Sequence, residues 1–224
     1  MTSTPLLQLT DAHRHYEQGN MSVRALNGVD LTIQLGEFVA IMGPSGCGKS
    51  TLLRTIGLLD RLTSGQFLMH NKRIDNASER ETALIRRDRI GFVFQDFKLV
   101  QRLSILQNVG LPLKYKKTSR RDRDELASQA LDLVGLSDRV SHKPEELSGG
   151  QKQRAAIARA IITGPDLILA DEPTGNLDED SSKSILELFR QLNRTGRTIV
   201  MVTHSKTDSS YADRVLRMHD GRMI

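Results

Sequence analysis

The stretch Gly43-Pro44-Ser45-Gly46-Cys47-Gly48-Lys49-Ser50 fits G-x-x-x-x-G-K-[ST] and constrains this chain more than any other part of it. Glu37-Phe38-Val39-Ala40-Ile41-Met42, introduced by Gly36, is a short apolar run that predicts a strand buried in a parallel sheet. Thr51-Leu52-Leu53-Arg54-Thr55-Ile56 behind it predicts a helix. A loop between that strand and that helix turns its backbone N–H groups inward, which glycine permits without a Cβ clash. The helix N-terminus adds unpaired donors and partial positive charge, so the whole is a cradle for phosphate. In such a cradle Lys49 would reach the β- and γ-phosphates and the Ser50 hydroxyl would bind Mg²⁺.

A chain of 224 residues, 38% of them hydrophobic, is long enough for one large α/β domain or for a domain with an insertion. No apolar run approaches the ~18–20 residues that cross a bilayer. The start, Met1-Thr2-Ser3-Thr4-Pro5, has neither the basic nor the apolar region of a secretory leader, so none is expected. The single cysteine, Cys47, excludes an internal disulfide and suits a reducing compartment. It lies in the phosphate loop, where a small filling residue is the simpler reading than a redox group. The net charge of +5 comes largely from clusters such as Lys114-Tyr115-Lys116-Lys117 and Arg120-Arg121-Asp122-Arg123. Aromatic residues make up only 4%, and none interleave a basic face. That leaves a solvated surface or an anionic membrane surface ahead of nucleic acid as the meaning of the charge.

Residues 6–33 alternate in period two, with Leu7, Leu9, Ala12, Leu26, Val29, Leu31 and Ile33 apolar. Asp11, Gly19-Asn20 and Asn27-Gly28 punctuate them, which predicts an antiparallel β layer. Tyr16 falls in the loop before a second strand; its ring suits stacking on a purine, or simply half-burial in a loop. A short strand and turn are expected over 66–75. A helix from Ser78 to Arg89 carries the capping box Ser78–Glu81, and Ile90-Gly91-Phe92-Val93-Phe94 is a buried strand. Gln95 stands at the C-terminal end of that strand, where α/β sheets gather their ligands, although a strand-end glutamine taken alone is equally a surface residue. Residues 96–117 read as a loop with Phe97, Leu99, Val100, Leu103, Leu106, Val109 and Leu111, broken at Pro112. Residues 119–135 read as a helix capped by Ser119, with Leu126, Ala130, Leu133 and Val134 on its apolar face and Gly135 closing it. This β-poor stretch interrupts the α/β alternation as a helical insertion.

Ser148-Gly149-Gly150-Gln151 opens a further helix over 151–162, and the bare glycine N–H groups behind a serine cap make a second anion cradle. Asp166-Leu167-Ile168-Leu169-Ala170 is a buried strand ending in Asp171-Glu172. Two adjacent carboxylates behind an apolar run are costly unless a cation offsets them. Asp171 fits a holder of Mg²⁺, and Glu172, on the other side of the strand, fits a base that polarises water. Pro173-Thr174-Gly175-Asn176-Leu177-Asp178 is a turn, and Ser182 to Asn193 a helix with Ile185, Leu188, Phe189 and Leu192 apolar. Thr198-Ile199-Val200-Met201-Val202-Thr203 is a strand with His204 at its end. It is the third polar group, after Gln95 and Glu172, that parallel strands deliver to one rim. The stretch from Asp213 to Ile224 closes with a strand and an Asp220-Gly221 hairpin.

In this order the motifs resemble the ATP-binding-cassette (ABC) ATPases along essentially the whole chain. Gly43–Ser50 is similar to their Walker A, Gln95 to the Q-loop glutamine, and Leu147-Ser148-Gly149-Gly150-Gln151 to the LSGGQ signature. Leu167–Asp171 is similar to Walker B with Glu172 as the catalytic glutamate, Asn176-Leu177-Asp178 to the D-loop, His204 to the switch histidine and Tyr16 to the adenine-stacking residue. The run Asp171–Asp178 and Phe92-Val93-Phe94-Gln95 resemble the ATPase subunits of lipoprotein-release, macrolide-export and antimicrobial-peptide-resistance systems, and the cell-division ATPase close to them. Asp96-Phe97-Lys98-Leu99 departs from the commoner Gln-x-Phe-Asn-Leu of the surface that faces the membrane partner.

The resemblance implies an α/β P-loop nucleotide-binding domain with an antiparallel β-subdomain and a helical subdomain. One domain is expected over 1–224, with about 96–155 inserted in its core. ATP and Mg²⁺ are the implied cofactors. The nucleotide would touch Tyr16, Gly43, Pro44, Ser45, Gly46, Cys47, Gly48, Lys49, Ser50 and Thr51, and also Ser148, Gly149, Gly150 and Gln151. Ser50, Gln95 and Asp171 would hold the metal, and Glu172, His204, Gln95 and Lys49 would act in hydrolysis. The chain has two anion cradles but one complete phosphate site, so a C₂ dimer is expected that sandwiches each ATP between Lys49 of one copy and Ser148-Gly149-Gly150 of the other. Separate transmembrane permease subunits are implied, at the cytoplasmic face of the inner membrane, docking near residues 96–140 on exposed Phe97, Leu99 and Val100. The competing expectation is a soluble ABC-type ATPase acting on nucleic acid or ribosomes. Such proteins usually carry two cassettes or long coiled-coil insertions, and this chain has neither.

Overall fold

The computed structural model describes residues 5–18 and 21–224; the start read for a leader, residues 1–4, and the expected Gly19-Asn20 turn lie outside the described residues. Two sheets carry the chain. One is antiparallel, in the order β2-β1-β4-β5, from β1 (Pro5–Gln18), β2 (Met21–Gln34), β4 (Ser64–Met69) and β5 (Lys72–Arg73). The other is in the order β10-β9-β3-β8-β7-β6, from β3 (Phe38–Met42), β6 (Ile90–Phe94), β7 (Leu167–Asp171), β8 (Thr198–Val202), β9 (Arg214–His219) and β10 (Arg222–Met223). From β9 to β6 every pairing in it is parallel, and β10 closes the edge as an antiparallel hairpin.

The parallel strands divide the core in two by their period of two. Phe38, Ala40, Ile168, Ala170, Ile199 and Met201 face one cluster, which the helices α3 (Ile105–Tyr115), α4 (Arg120–Leu133), α5 (Gly149–Ile161) and α6 (Glu179–Arg194) complete. Val39, Ile41, Leu167, Leu169, Val200 and Val202 face the other, shared with α1 (Lys49–Ile56) and the antiparallel sheet. The same alternation puts Asp171 on the α1 side of β7, because it keeps step with Leu167 and Leu169.

Several expectations need correction. Asp11 and Asn27-Gly28 do not end strands. β1 and β2 run through them with shifts of register, Asp11 at φ 46 and Gly28 at φ 79, so the polar interruptions are bulges. Tyr16 lies within β1, opposite Val23, and not in a loop. Part of the segment read as a loop over 96–117 is the helix α3, capped by Ser104 with Gln107 as its capping-box partner, and Pro112 sits inside it. Burial of Ile105, Val109 and Leu113 outweighs the hydrogen bond that proline removes. The buried Asn108 amide pins the N-terminal end by donating to the carbonyls of Val100, Leu103 and Ser104.

On α4 the buried face is Ala127, Ala130 and Leu131, continued by Val134, whereas Leu126 and Leu133 are exposed; the face is rotated by one residue from the expected one. α6 begins at Glu179, three residues ahead of Ser182, because the Asp178 side chain accepts from the Ser181 N–H and caps it. Phe97, Leu99 and Val100 are half-buried, not exposed. Phe97 and Lys98 take left-handed φ values of 59 and 49, and Arg159 of α5 donates to both their carbonyls, which draws the turn inward. A single-turn helix, α7 (Lys206–Ser209), had no counterpart among the expectations. The capping box of α2 (Glu79–Arg89), the helix α1, the hairpin at Asp220-Gly221 and the strands β3, β6, β7 and β8 stand where the sequence puts them.

Candidate nucleotide site

The loop from Gly43 to Gly48 joins β3 to α1, with Gly48 as N-cap at φ 104. Gly43 and Gly48 answer a close approach of the chain to itself. A Cβ on Gly43 would fall 2.2 Å from the Met218 carbonyl oxygen, and one on Gly48 2.2 Å from that of Ala25. The C-terminal hairpin backs the loop further, since the Gly221 N–H donates to the Cys47 carbonyl at 2.9 Å. Pro44, Ser45, Gly46 and Ser50 are exposed and Thr51 half-buried, while Cys47 is buried. Lys49 is only 7% exposed. Its Nζ donates to the carbonyls of Gly43 and Pro44, each at 2.8 Å, so an ammonium is held inside the loop.

Beside the loop lies a cleft of about 560 Å³ lined by Tyr16, Val23, Gly46, Lys49, Ser50 and Thr51 among others. Tyr16 is fixed there. Its hydroxyl donates to Asp60 Oδ2 at 2.7 Å, Asp60 pairs with Arg54 of α1 at 2.9 Å, and the Arg14 guanidinium lies 4.5 Å from the ring centroid. The ring is thereby tied to the helix that begins at Lys49, with one face covered by a cation.

Asp171 and Glu172 end β7 within the same region. Burial pushes the Asp171 carboxyl up, the neighbouring Glu172 pushes it the same way, and the Ser50 hydroxyl and Lys49 charge oppose them. Glu172 takes φ 42, and its Oε1 lies 3.2 Å from His204 Nδ1 at the end of β8. The two residues expected to act on water are thus in contact, with His204 largely open to solvent. Gln95 reaches this rim from β6. Its Nε2 donates to Asn176 Oδ1 at 3.4 Å, Asn176 Nδ2 donates back to the Gln95 carbonyl at 3.2 Å, and its amide lies against Gly175. In this conformation Gln95 therefore joins the turn after Glu172.

The Asp171 environment carries a prediction. A carboxyl whose folded-state value is raised stabilises the fold below its ordinary value of 3.8, and that contribution is lost as pH rises above it. Asp171→Asn should therefore raise the Tm of the nucleotide-free chain at pH 7, by on the order of 1–2 °C. The gain should shrink towards pH 4, as read by calorimetry.

Ser148 to Gln151 lie elsewhere. The Ser148 hydroxyl accepts from the Gln151 N–H at 3.3 Å, and Gln151 Oε1 accepts from the Ser148 N–H at 3.0 Å. A Cβ on Gly149 would meet Leu177 and one on Gly150 would meet Ser181, so this cap stands against the start of α6 and not on the cleft that Lys49 lines.

Some polar residues around the site escaped the sequence reading. Asp208 is buried and bonded by the hydroxyls of Thr174, Thr203 and Ser205, which ties the turn after Glu172 to the segment that carries His204. Gln153, fully buried on α5, donates to the carbonyls of Pro173 and Phe94. A glutamine among Ala155, Ala156 and Ile157 on an otherwise apolar face was a signal for it.

A phosphate cradle on a parallel sheet, crossed by an antiparallel layer on one side and helices on the other, defines a P-loop nucleotide-binding domain of the ATP-binding-cassette type. The family model described as ABC transporter matches residues 26–175, and the chain belongs to that family. An uncharacterised ABC transporter ATP-binding protein of Bacillus subtilis, YvrO, is 50% identical over 219 residues, 98% of this chain and 96% of that protein. The macrolide export ATP-binding/permease protein MacB of Chlorobium phaeobacteroides is 49% identical over 98% of this chain, which spans only 33% of that longer protein. Among solved structures, a dimeric post-hydrolysis state of the ATP-binding cassette MJ0796 bound to ADP and Pi matches with a TM-score of 0.89 at 42% identity, covering 97% of this chain and 96% of that one. The structure of cbiO1 from Clostridium perfringens, part of the ABC transporter complex cbiONQ, matches with a TM-score of 0.88 at 31% identity, covering 99% of this chain and 87% of that one.

Proposed function

We propose that this chain is the ATP-binding and hydrolysing subunit of an ABC transporter complex, and that two copies clasp ATP between them to drive separate transmembrane subunits. The observation that carries the reading is the separation of the two anion cradles. The Ser148 cap leans on Leu177 and Ser181, away from its own Lys49 cleft, so it is free to meet the nucleotide of a second copy. The dimeric MJ0796 cassettes support this reading. On it, Tyr16 stacks on the base through the ring face that Arg14 leaves open. Gly43, Pro44, Ser45, Gly46, Cys47, Gly48 and Thr51 line the phosphates, and Lys49 exchanges two loop carbonyls for phosphate oxygens. Glu172 takes a proton from the attacking water, His204 orients it and contacts the γ-phosphate, and Gln95 senses that phosphate.

The residues fit Mg²⁺. Asp171 is a carboxyl pushed up by burial, with Ser50 beside it, and a cation offsets that cost. Among the described residues no group of three or more His, Cys, Asp or Glu gathers to hold a metal, which suits an ion that takes most of its ligands from phosphate and water. Mg²⁺ supplies charge to offset the phosphates; Ser50 and Asp171 would hold it, and Gln95 would join after its amide leaves Asn176.

The organisation proposed is one ABC ATPase domain over 1–224, with about 96–155 as a helical subdomain. β6 ends at Phe94, β7 begins at Leu167, and α3, α4 and α5 lie between them. On this reading the transmembrane part is a separate permease subunit and the chain sits at the inner face of the cell membrane; no helix among the described residues is long and apolar enough to cross one. The nucleic-acid alternative has no relative in its favour among those described above, whereas MacB is a permease fusion. The docking surface is better sought in a groove of about 760 Å³ than at Phe97. Leu84, Phe92, Phe94, Leu111, Pro112 and Tyr115 line it, and Leu84 and Tyr115 are exposed. Charge substitution at both, Leu84→Glu with Tyr115→Glu, should abolish capture of the membrane subunits in a pull-down and leave the ATPase of the free chain unchanged. Undiminished capture would move the docking surface elsewhere.

A further inference from the structure

Gln153 belongs to α5, one turn beyond the Ser148 cap, and it is 0% exposed. Its Nε2 donates to the Pro173 carbonyl at 2.6 Å and to the Phe94 carbonyl at 3.4 Å. Two acceptors facing Nε2 fix the orientation of the amide. Its Oε1 is buried with no donor among the described residues. The two carbonyls are not equivalent bystanders. Pro173 directly follows Glu172, and the turn closes back with the Gly175 N–H donating to the Glu172 carbonyl at 3.0 Å. Phe94 directly precedes Gln95, which bonds to Asn176 of the same turn. One side chain therefore joins the helix that begins at Ser148, the turn that carries the base, and the strand that delivers Gln95.

In the clasped dimer each copy presents Ser148-Gly149-Gly150 to one nucleotide and Glu172 to the other. The path from Ser148 through Gln153 to Pro173 thus runs, inside one chain, from one ATP site to its twin. We propose that Gln153 is a positioning residue that couples the two sites: seating of the Ser148 cap on one nucleotide sets the base at the other. This rests on the clasp proposed above. The mechanics are those of a short bond between buried groups. A displacement of α5 cannot leave Pro173 behind without breaking a 2.6 Å hydrogen bond. The 3.4 Å contact to Phe94 is slack and Oε1 has capacity left, so the junction can tighten as α5 moves.

The test is Gln153→Met, which keeps the length and volume of the side chain and removes the donor. Steady-state hydrolysis by the full chain is measured across ATP concentrations, beside nucleotide binding. The Hill coefficient should fall from near 2 towards about 1. The kcat should drop about tenfold, and the half-saturating ATP concentration should move less than about threefold. In the Glu172→Gln background the variant should still elute as an ATP-dependent dimer. An unchanged Hill coefficient and kcat would overturn the proposal. So would a double variant that stays monomeric where Glu172→Gln alone dimerises, because Gln153 would then serve assembly. A monomeric ATP-bound Glu172→Gln would instead sink the clasp itself. Should Gln153→Met fail to fold, hydrogen exchange of the Glu172→Gln chain decides the matter. As ATP and Mg²⁺ are added, the amides of residues 149–153 and 174–177 should gain protection with one common midpoint, and separate midpoints would refute the coupling.

Discussion

Replacing Glu172 with glutamine is expected to leave ATP bound and all but stop its turnover. The substitution keeps the shape of the side chain and its reach to His204 Nδ1, 3.2 Å away, and removes only the basicity. A general base acts in the transition state, so its loss falls on kcat and not on ground-state binding. The drop should be about 10²- to 10⁴-fold. The same change takes a negative charge from beside Asp171 and so relieves the push that Glu172 exerts on that carboxyl. With the γ-phosphate preserved, the two copies stay clasped. The nucleotide-bound variant should elute from a sizing column at twice the mass of the nucleotide-free chain. An ATP-loaded monomer would remove the clasp from the mechanism.

Lys49→Ala should act at the opposite end of the cycle, on binding. Lys49 is the ammonium held inside the loop, bonded to the Gly43 and Pro44 carbonyls at 2.8 Å each. A hydrogen bond from a charged donor contributes roughly 1.5–3 kcal/mol, so ATP affinity should weaken about 10- to 150-fold, with turnover reduced further. Lys49→Arg should not restore it, because a planar fork does not enter a space shaped for a single ammonium. Equilibrium titration with a fluorescent ATP analogue reads both variants. An alanine variant that binds within threefold of the parent would deny Lys49 its place at the phosphates.

The contrast between these residues and their surroundings explains how much could be seen in advance. Lys49, Ser50, Asp171, Glu172 and His204 are each announced by a neighbour in the chain: a glycine loop, or an apolar strand that must end at the sheet rim. Ser78 with Glu81 is legible for the same reason, since a capping box is complete within four residues, and Ser148 is legible as a cap because two glycines follow it. Asp60 was invisible because its partner Tyr16 is 44 positions away, and Asp208 because Thr174 is 34 positions away. Pro112 was misleading for a related reason. Its cost is local, whereas the burial of Val109 and Leu113 that outweighs it comes from packing against other helices, α4 next in the chain and α5 further on. Gly28 and Asp11 look like turn residues, and only the pairing partner shows whether such residues end a strand or bulge it. On α4, small alanines and large leucines fit two faces one residue apart, and the neighbouring helix selects the one with the alanines.

The alternation along β3, β7 and β8 has a consequence for how the molecule can deform and evolve. The sheet is a partition with a separate oily chamber on each side, and no side chain of these strands belongs to both. Repacking one chamber, say at Phe189 or Leu131, should leave the other undisturbed, so that substitutions drawn from the two sides add in their effects while those within one side do not. Each chamber can accordingly diversify without retuning the other.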